Sequence, residues 1–218
     1  GQALAALWVT EQALLYSKSD PDLLRRRDSY YFSVTPDELR SAAETVRAGL
    51  DAGYCLRKAK QVLDNPNSDL EAVEWAEHLA DLARVLKPGN LAGQLLKARA
   101  LQFRGENPEA LQILEDIREA KPGTFSSGEE SDAWYTACRL LGDLYLYTYD
   151  RADLAVGCYV DFRGSPKSGA DTLYKLGEAY EKTGDLARAK QSYEQVLAFT
   201  EHPKAYDARE ALRRLRAG

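Results

Sequence analysis

Methionine is absent, histidine occurs twice and cysteine three times among the 218 residues. The two histidines, His78 and His202, lie far apart in the chain, and no HExxH pattern occurs, which leaves no metal site to expect. Three cysteines, at positions 55, 138 and 158, cannot build a disulfide framework and match no zinc or CxxC spacing. No Walker loop, GxGxxG or GxSxG is present, and no Asn-x-Ser/Thr acceptor. With 8 Pro and 15 Gly, the chain is too poor in both to be collagen-like or a linker. No apolar run reaches the roughly 18–20 residues of a membrane span. The apolar opening, Ala3 to Tyr16, is interrupted by Thr10, Glu11 and Gln12 and lacks the basic start of a signal peptide. Direct membrane insertion is therefore not expected. A surplus of positive charge is also missing. The net charge is −5, spread as −3 over residues 1–90 and −2 over 91–218, which disfavours nonspecific nucleic-acid binding.

Gly1 and the lack of Met read as a trimmed chain carrying a tag glycine, from which a leader, an anchor or whole domains can have been cut. Three unpaired cysteines lean toward a reducing, cytoplasmic compartment. A periplasmic one stays open if a leader or an anchor was removed.

What is present is an ordinary globular mixture, 44% hydrophobic and 29% charged, long enough for one large or two small domains. Apolar residues recur at three- and four-residue steps between Gly, Pro, Asn and Asp punctuation, so the chain reads as all-helical. Thr35-Pro36-Asp37-Glu38 is the clearest helix start, with a capping Thr, a Pro for the first helical position and a Glu to close the capping box. The following run to Leu63 predicts one helix of roughly 42 Å at about 1.5 Å per residue, with Gly49 and Gly53 as weak points. Asp64 to Ser68 is a turn. A second helix is expected from Asp69 to Leu86, stopping before Pro88-Gly89.

From Leu91 the chain repeats. The units are 91–124, 135–169 and 170–203, two of 34 residues and a middle one of 35 with an extra residue in its turn. The last reads Leu173-x-x-Leu176-Gly177-x-x-Tyr180, then Gly184-Asp185, then Ala189-x-x-x-Tyr193. The middle one has Leu141-Gly142-x-x-Tyr145, Ala155-x-x-x-Tyr159 and Phe162. The first has Ala98-x-x-Leu101, Gly105, Ala110-x-x-x-Leu114, Ile117 and Pro122. A period near 34 built of two helices is the mark of a solenoid, in which each pair covers the apolar face of the next. Small residues let the backbones approach, and large ones such as Tyr145 and Tyr180 fill the gaps.

This pattern resembles the tetratricopeptide (TPR) repeat family, strongly over 91–203 and weakly over 36–90. The resemblance implies a right-handed α-solenoid of antiparallel helix pairs, a TPR-like superhelix. Extra N-terminal helices precede it, and a C-terminal capping helix closes it. Its expected parts are an N-terminal helix and connecting segment (1–35), a degenerate pair (36–90), the three repeats with a loop insertion at 125–134, and the capping helix (204–218). In such stacks the first helix of each pair lines a concave wall. Carried over, the partner-binding residues are Leu95, Arg99 and Phe103, then Arg139, Asp143 and Tyr147, then Tyr174, Lys175, Glu178 and Lys182. Gln102, Leu146, Asp171 and Glu181 lie on the same faces. Phe103, Arg139, Tyr147 and Tyr174 are expected to matter most, because aromatics and arginines dominate recognition. The plainer reading is that Phe103 and Tyr147 pack only on neighbouring helices. The clamp that holds a peptide carboxylate in some TPR domains is missing, since Leu95, Leu140 and Asp171 occupy its positions.

Other features carry less. Phe125–Asp132 reads as a polar, mobile loop. Arg25-Arg26-Arg27 beside Tyr30-Tyr31-Phe32 is a candidate contact patch, or, more plainly, solvated arginines next to capping aromatics. His78, beside Glu74, Glu77 and Asp81, could serve as a base but reads more simply as a surface histidine. His202 is turn punctuation before Pro203, and the cysteines read as small buried apolar groups. The expectation is a noncatalytic scaffold that binds a peptide segment or helix of a partner protein, with no cofactor and no metal. Two alternatives are a self-assembling module, with the helix over 3–16 (Leu4, Leu7, Trp8, Leu14, Leu15) entering a second copy, and an accessory domain of a larger enzyme or membrane-anchored protein.

Overall fold

Residues 1–121 and 123–217 are described by the computed structural model, and every regular element among them is helical: thirteen α-helices and one π-helical turn. The chain divides into two units, Gly1–Ile113 and Leu114 onward. None of the described helices is long and apolar enough to cross a membrane.

The first unit begins with α1 (Gln2–Tyr16) and α2 (Pro21–Ser33). The segment expected to be a connection is thus largely helical. Asp20 accepts hydrogen bonds from the backbone N–H of Asp22 and Leu23, and Pro21 takes the first helical position, a start signal of the kind seen at Thr35-Pro36. Helix α1 folds back on α2 and buries Leu4 and Leu7 in the unit's core.

The long helix expected from 36 to 63 is three pieces: α3 (Pro36–Ser41), α4 (Glu44–Ala48) and α5 (Ala52–Asp64). Thr35 and Glu38 form the capping box. Ala42 and Ala43 then adopt extended backbone, and Asp51 restarts the helix by accepting the Tyr54 N–H at 2.9 Å. The breaks turn Leu39 and Leu50 into the core. Gly49 is needed at the second break because the Trp8 indole lies against it: a Cβ there would sit 2.6 Å from Nε1. Helices α6 (Leu70–Leu86) and α7 (Leu91–Arg104) complete the unit, with α5, α6 and α7 in mutual contact and α2 and α3 against α6. The boundary between the units falls inside α8 (Asn107–Glu119).

The second unit holds α9 (Gly128–Asp143), the π-helical turn (Leu144–Thr148), α10 (Ala152–Phe162), α11 (Ala170–Lys182), α12 (Leu186–Val196) and α13 (Pro203–Ala217). Helix α9 takes up most of the expected 125–134 loop. Ser127 caps it by accepting the Glu130 N–H, and the Glu130 carboxylate accepts the Ser126 N–H in return. Trp134, fully buried, pins this first part by donating its indole N–H to the Arg118 carbonyl at 3.1 Å. Pro122, quoted above for the first repeat, lies outside the described residues.

Within this unit each helix packs on the next, and α11 also meets α13. One contact occurs twice. A Cβ on Gly142 would lie 2.8 Å from the Tyr159 ring, and one on Gly177 would lie 2.5 Å from the Tyr193 ring. The tyrosine ring of each second helix therefore packs against the bare backbone of the first, closer than a Cβ there would permit.

The turns between paired helices also repeat. Gly105 and Gly184 are left-handed, with φ of 82° and 81°, and Asp150 takes the same role with φ of 51°. The N–H after each closes on a carbonyl: Glu106 on Leu101, Asp185 on Tyr180, and Arg151 on Tyr145. The first two span five residues and the third six. The π-helical turn absorbs that extra residue, which is how a one-residue insertion enters a helix without breaking it.

Candidate functional site

The candidate residues fall in both units, and the two sets behave differently. In the first unit Leu95 is buried. Arg99 is tied to the end of α5, donating to the Leu63 carbonyl at 3.0 Å and the Asp64 carboxylate at 2.8 Å. Phe103 presents its ring to solvent.

In the second unit the seven candidates meet on one face. Arg139, Asp143 and Tyr147 are spaced four apart, which stacks them along α9 and the π-helical turn. Tyr174, Glu178 and Lys182 do the same on α11, with Lys175 three residues before Glu178. Asp143 is the hub: its carboxylate accepts from Arg139 at 3.2 Å, Lys175 at 2.7 Å and the Tyr159 hydroxyl at 2.7 Å. Tyr147 donates its hydroxyl to Glu178 at 2.7 Å, and the Lys175 ammonium lies 5.9 Å from the Tyr147 ring centre. Lys182 reaches Asp150 at 2.7 Å and the Leu146 carbonyl at 3.3 Å. Desolvation at the hydroxyl end of Tyr147, whose ring edge stays exposed, and its bond to Glu178 both raise its pKa, so it stays a neutral donor.

A cavity of about 390 Å³ opens beside this face, lined by Tyr174, Glu178, Glu181, Lys182, Tyr193 and Arg214. Arg214 holds both oxygens of Glu181 at 2.8 Å, and Tyr193 donates to the same carboxylate at 3.0 Å. The Tyr174 and Tyr193 rings meet at 5.4 Å, and the Lys204 ammonium stands 4.5 Å over Tyr174 while pairing with Asp207 at 2.8 Å. Sequence reasoning missed this contribution of Tyr193, Lys204 and Arg214. Tyr193 carried a packing signal in the Ala-x-x-x-Tyr pattern, and the other two sit on a helix read only as a cap.

Several of the other residues singled out have structural partners. Arg27 lays its guanidinium 4.0 Å over the Tyr54 ring, and Tyr31 is fully buried. His78 stacks on Trp75, its Nε2 3.0 Å from the Tyr31 carbonyl oxygen. His202 accepts the Lys204 N–H at its Nδ1, at 3.2 Å, in the turn that starts α13. All three cysteines are buried. Burial pushes Cys138 up to about 12 and Cys158 up to about 11, so both stay thiols near neutral pH. No group of three or more His, Cys, Asp or Glu among the described residues could hold a metal ion. The face on α9 and α11 is thus suited to stacking and ion pairing. Compared with protein-family models and with curated proteins, the chain matches none.

Proposed function

We propose that the chain is a noncatalytic interaction scaffold of the TPR type, in which the helical pairs of the second unit stack in solenoid fashion. The face formed by α9, the π-helical turn and α11 then takes an extended or helical segment of a partner protein. The twofold glycine–tyrosine contact and the 34-residue period support the stacking. The observation that carries the binding role is the aromatic and charged face itself. Tyr147, 56% exposed, and half-buried Tyr174 stand within a framework of ion pairs that hold their helices in place. Rigid tyrosines beside a cavity offer large contact area at low entropic cost.

The test uses the full 218-residue chain, immobilised and challenged with fluorescent degenerate peptide pools. The double variant Tyr147→Ala/Tyr174→Ala is expected to retain about tenfold less peptide at unchanged far-UV circular dichroism, the loss that a modest hot spot produces. Undiminished retention rejects this face as the binding surface.

A further inference from the structure

On the α11 face nearly every charge has a partner in the same unit. Glu181 is held by Arg214, Asp143 by Lys175 and Arg139, Asp150 by Lys182, and Asp207 by Lys204. Glu178 differs. It is half-buried, lines the 390 Å³ cavity, and among the described residues no cation lies within ion-pair distance of it. Among the described residues its hydrogen-bond donor is the Tyr147 hydroxyl, which carries no charge. A carboxylate partly withdrawn from water, bonded directly to no described cation and only under the more distant field of Lys204, favours a cation that can reach it.

The surroundings narrow the cation's chemistry. The cavity places the Tyr174 and Tyr193 rings beside Glu178, and Tyr147 touches the carboxylate directly. Two of these tyrosines already have ammonium groups of the same chain over their faces, Lys175 on Tyr147 and Lys204 on Tyr174. The wall is therefore compatible with cations. A planar guanidinium suits it better than another ammonium, because it can fork onto a carboxylate and stack on a ring at once. The volume is ample for one such group and its aliphatic stem.

We propose that Glu178 and the tyrosines around it form a subsite for an arginine side chain of the bound segment. This rests on the peptide-binding reading above and assigns the chemistry of the residue that anchors there.

The experiment compares four degenerate nonapeptide pools on the immobilised full chain, with a central Arg, Lys, citrulline or Glu. Citrulline keeps the shape and stem of arginine and removes the charge. The wild-type chain is expected to hold the Arg pool about fivefold to tenfold better than the citrulline pool, the scale of one charge-assisted contact. Glu178→Gln should bring that ratio to about 1, and Glu178→Lys should turn the preference toward the Glu pool. Equal holding of the Arg and citrulline pools, or a preference that survives Glu178→Gln, overturns the subsite. A Lys pool held as well as the Arg pool overturns the guanidinium assignment. If all pools bind alike and Tyr147→Ala/Tyr174→Ala still weakens binding about tenfold, the peptide-binding face stands and only the arginine subsite falls. If no pool binds at all, both fall.

Discussion

The two units reach the same end, buried helices, by opposite routes. The second unit uses one contact twice: Tyr159 on Gly142 and Tyr193 on Gly177, each hydroxyl tied to a carboxylate of the first helix, Asp143 or Glu181. The first unit is held by contacts that occur once. Tyr31 donates to buried Glu11 at 2.9 Å and accepts the Asp51 N–H at 3.0 Å, His78 meets the Tyr31 carbonyl, and Tyr54 bonds to Asp28. A repeated contact leaves a period in the chain. A single contact between residues 20 or 47 positions apart leaves none.

The contrast can be broken most forcefully at the repeated contact. Tyr193 is fully buried, and Tyr193→Ala should cost about 3–5 kcal/mol of unfolding free energy in a denaturant titration, as for other large aromatics cut to Ala. A loss below about 1 kcal/mol would show that the tyrosine is not seated on the glycine. Gly177→Ala should cost about 1–3 kcal/mol, because the new methyl overlaps the ring. Most of that cost should vanish in the Tyr193→Ala background, which a double-mutant cycle measures as a strong coupling. Independent, additive losses would contradict the close approach.

The one-off network of the first unit should answer to pH. Burial raises the Glu11 pKa above its ordinary value, more than the Tyr31 hydrogen bond and Arg27 lower it. The folded chain therefore keeps a proton that the unfolded chain has released. The resulting stability is fully present below the unfolded pKa near 4.5 and is lost as pH rises through the raised folded value. Glu11→Gln should remove that slope from a stability–pH curve, and an unchanged slope would assign it elsewhere. Tyr31→Phe leaves Glu11 and the Asp51 N–H without their partner and should cost about 1–3 kcal/mol by thermal or denaturant unfolding.

The smallest effects belong to the turns. Nothing lies within 4 Å of a Cβ on Gly184, so Gly184→Ala should cost only the backbone strain of a left-handed residue, about 1 kcal/mol. Asp150→Gly should relieve that strain in the middle turn and gain up to about 1 kcal/mol, less the small exposed pair with Lys182. A loss at Asp150→Gly would show that the ion pair outweighs the backbone.

The candidate face was legible only in part. The four-residue spacing of Arg139, Asp143 and Tyr147, and of Tyr174, Glu178 and Lys182, is enough to place each trio on one helix face. That Tyr147 and Glu178 touch, 31 positions apart, follows from packing alone. Arg139 pairs with Asp143 one turn along its own helix, a contact that its four-residue spacing already allows. Leu95, assigned to the same wall, is core. The continuous helix from 36 to 63 failed for a related reason: periodicity ran on through Ala42-Ala43 and Gly49, while the core's need for Leu39 and Leu50, and the indole of Trp8 against Gly49, broke it.

Local chemistry in the chain decided the helical class, the cap at Thr35 and the 34-residue period, because each is written in the residue types along the chain itself. Tertiary contact decided where Glu11 finds its donor, which carboxylates pair directly with a cation and that Glu178 bonds to a tyrosine instead. Those outcomes turn on how side chains distant in sequence share a small, poorly solvated volume, and no periodicity records that sharing.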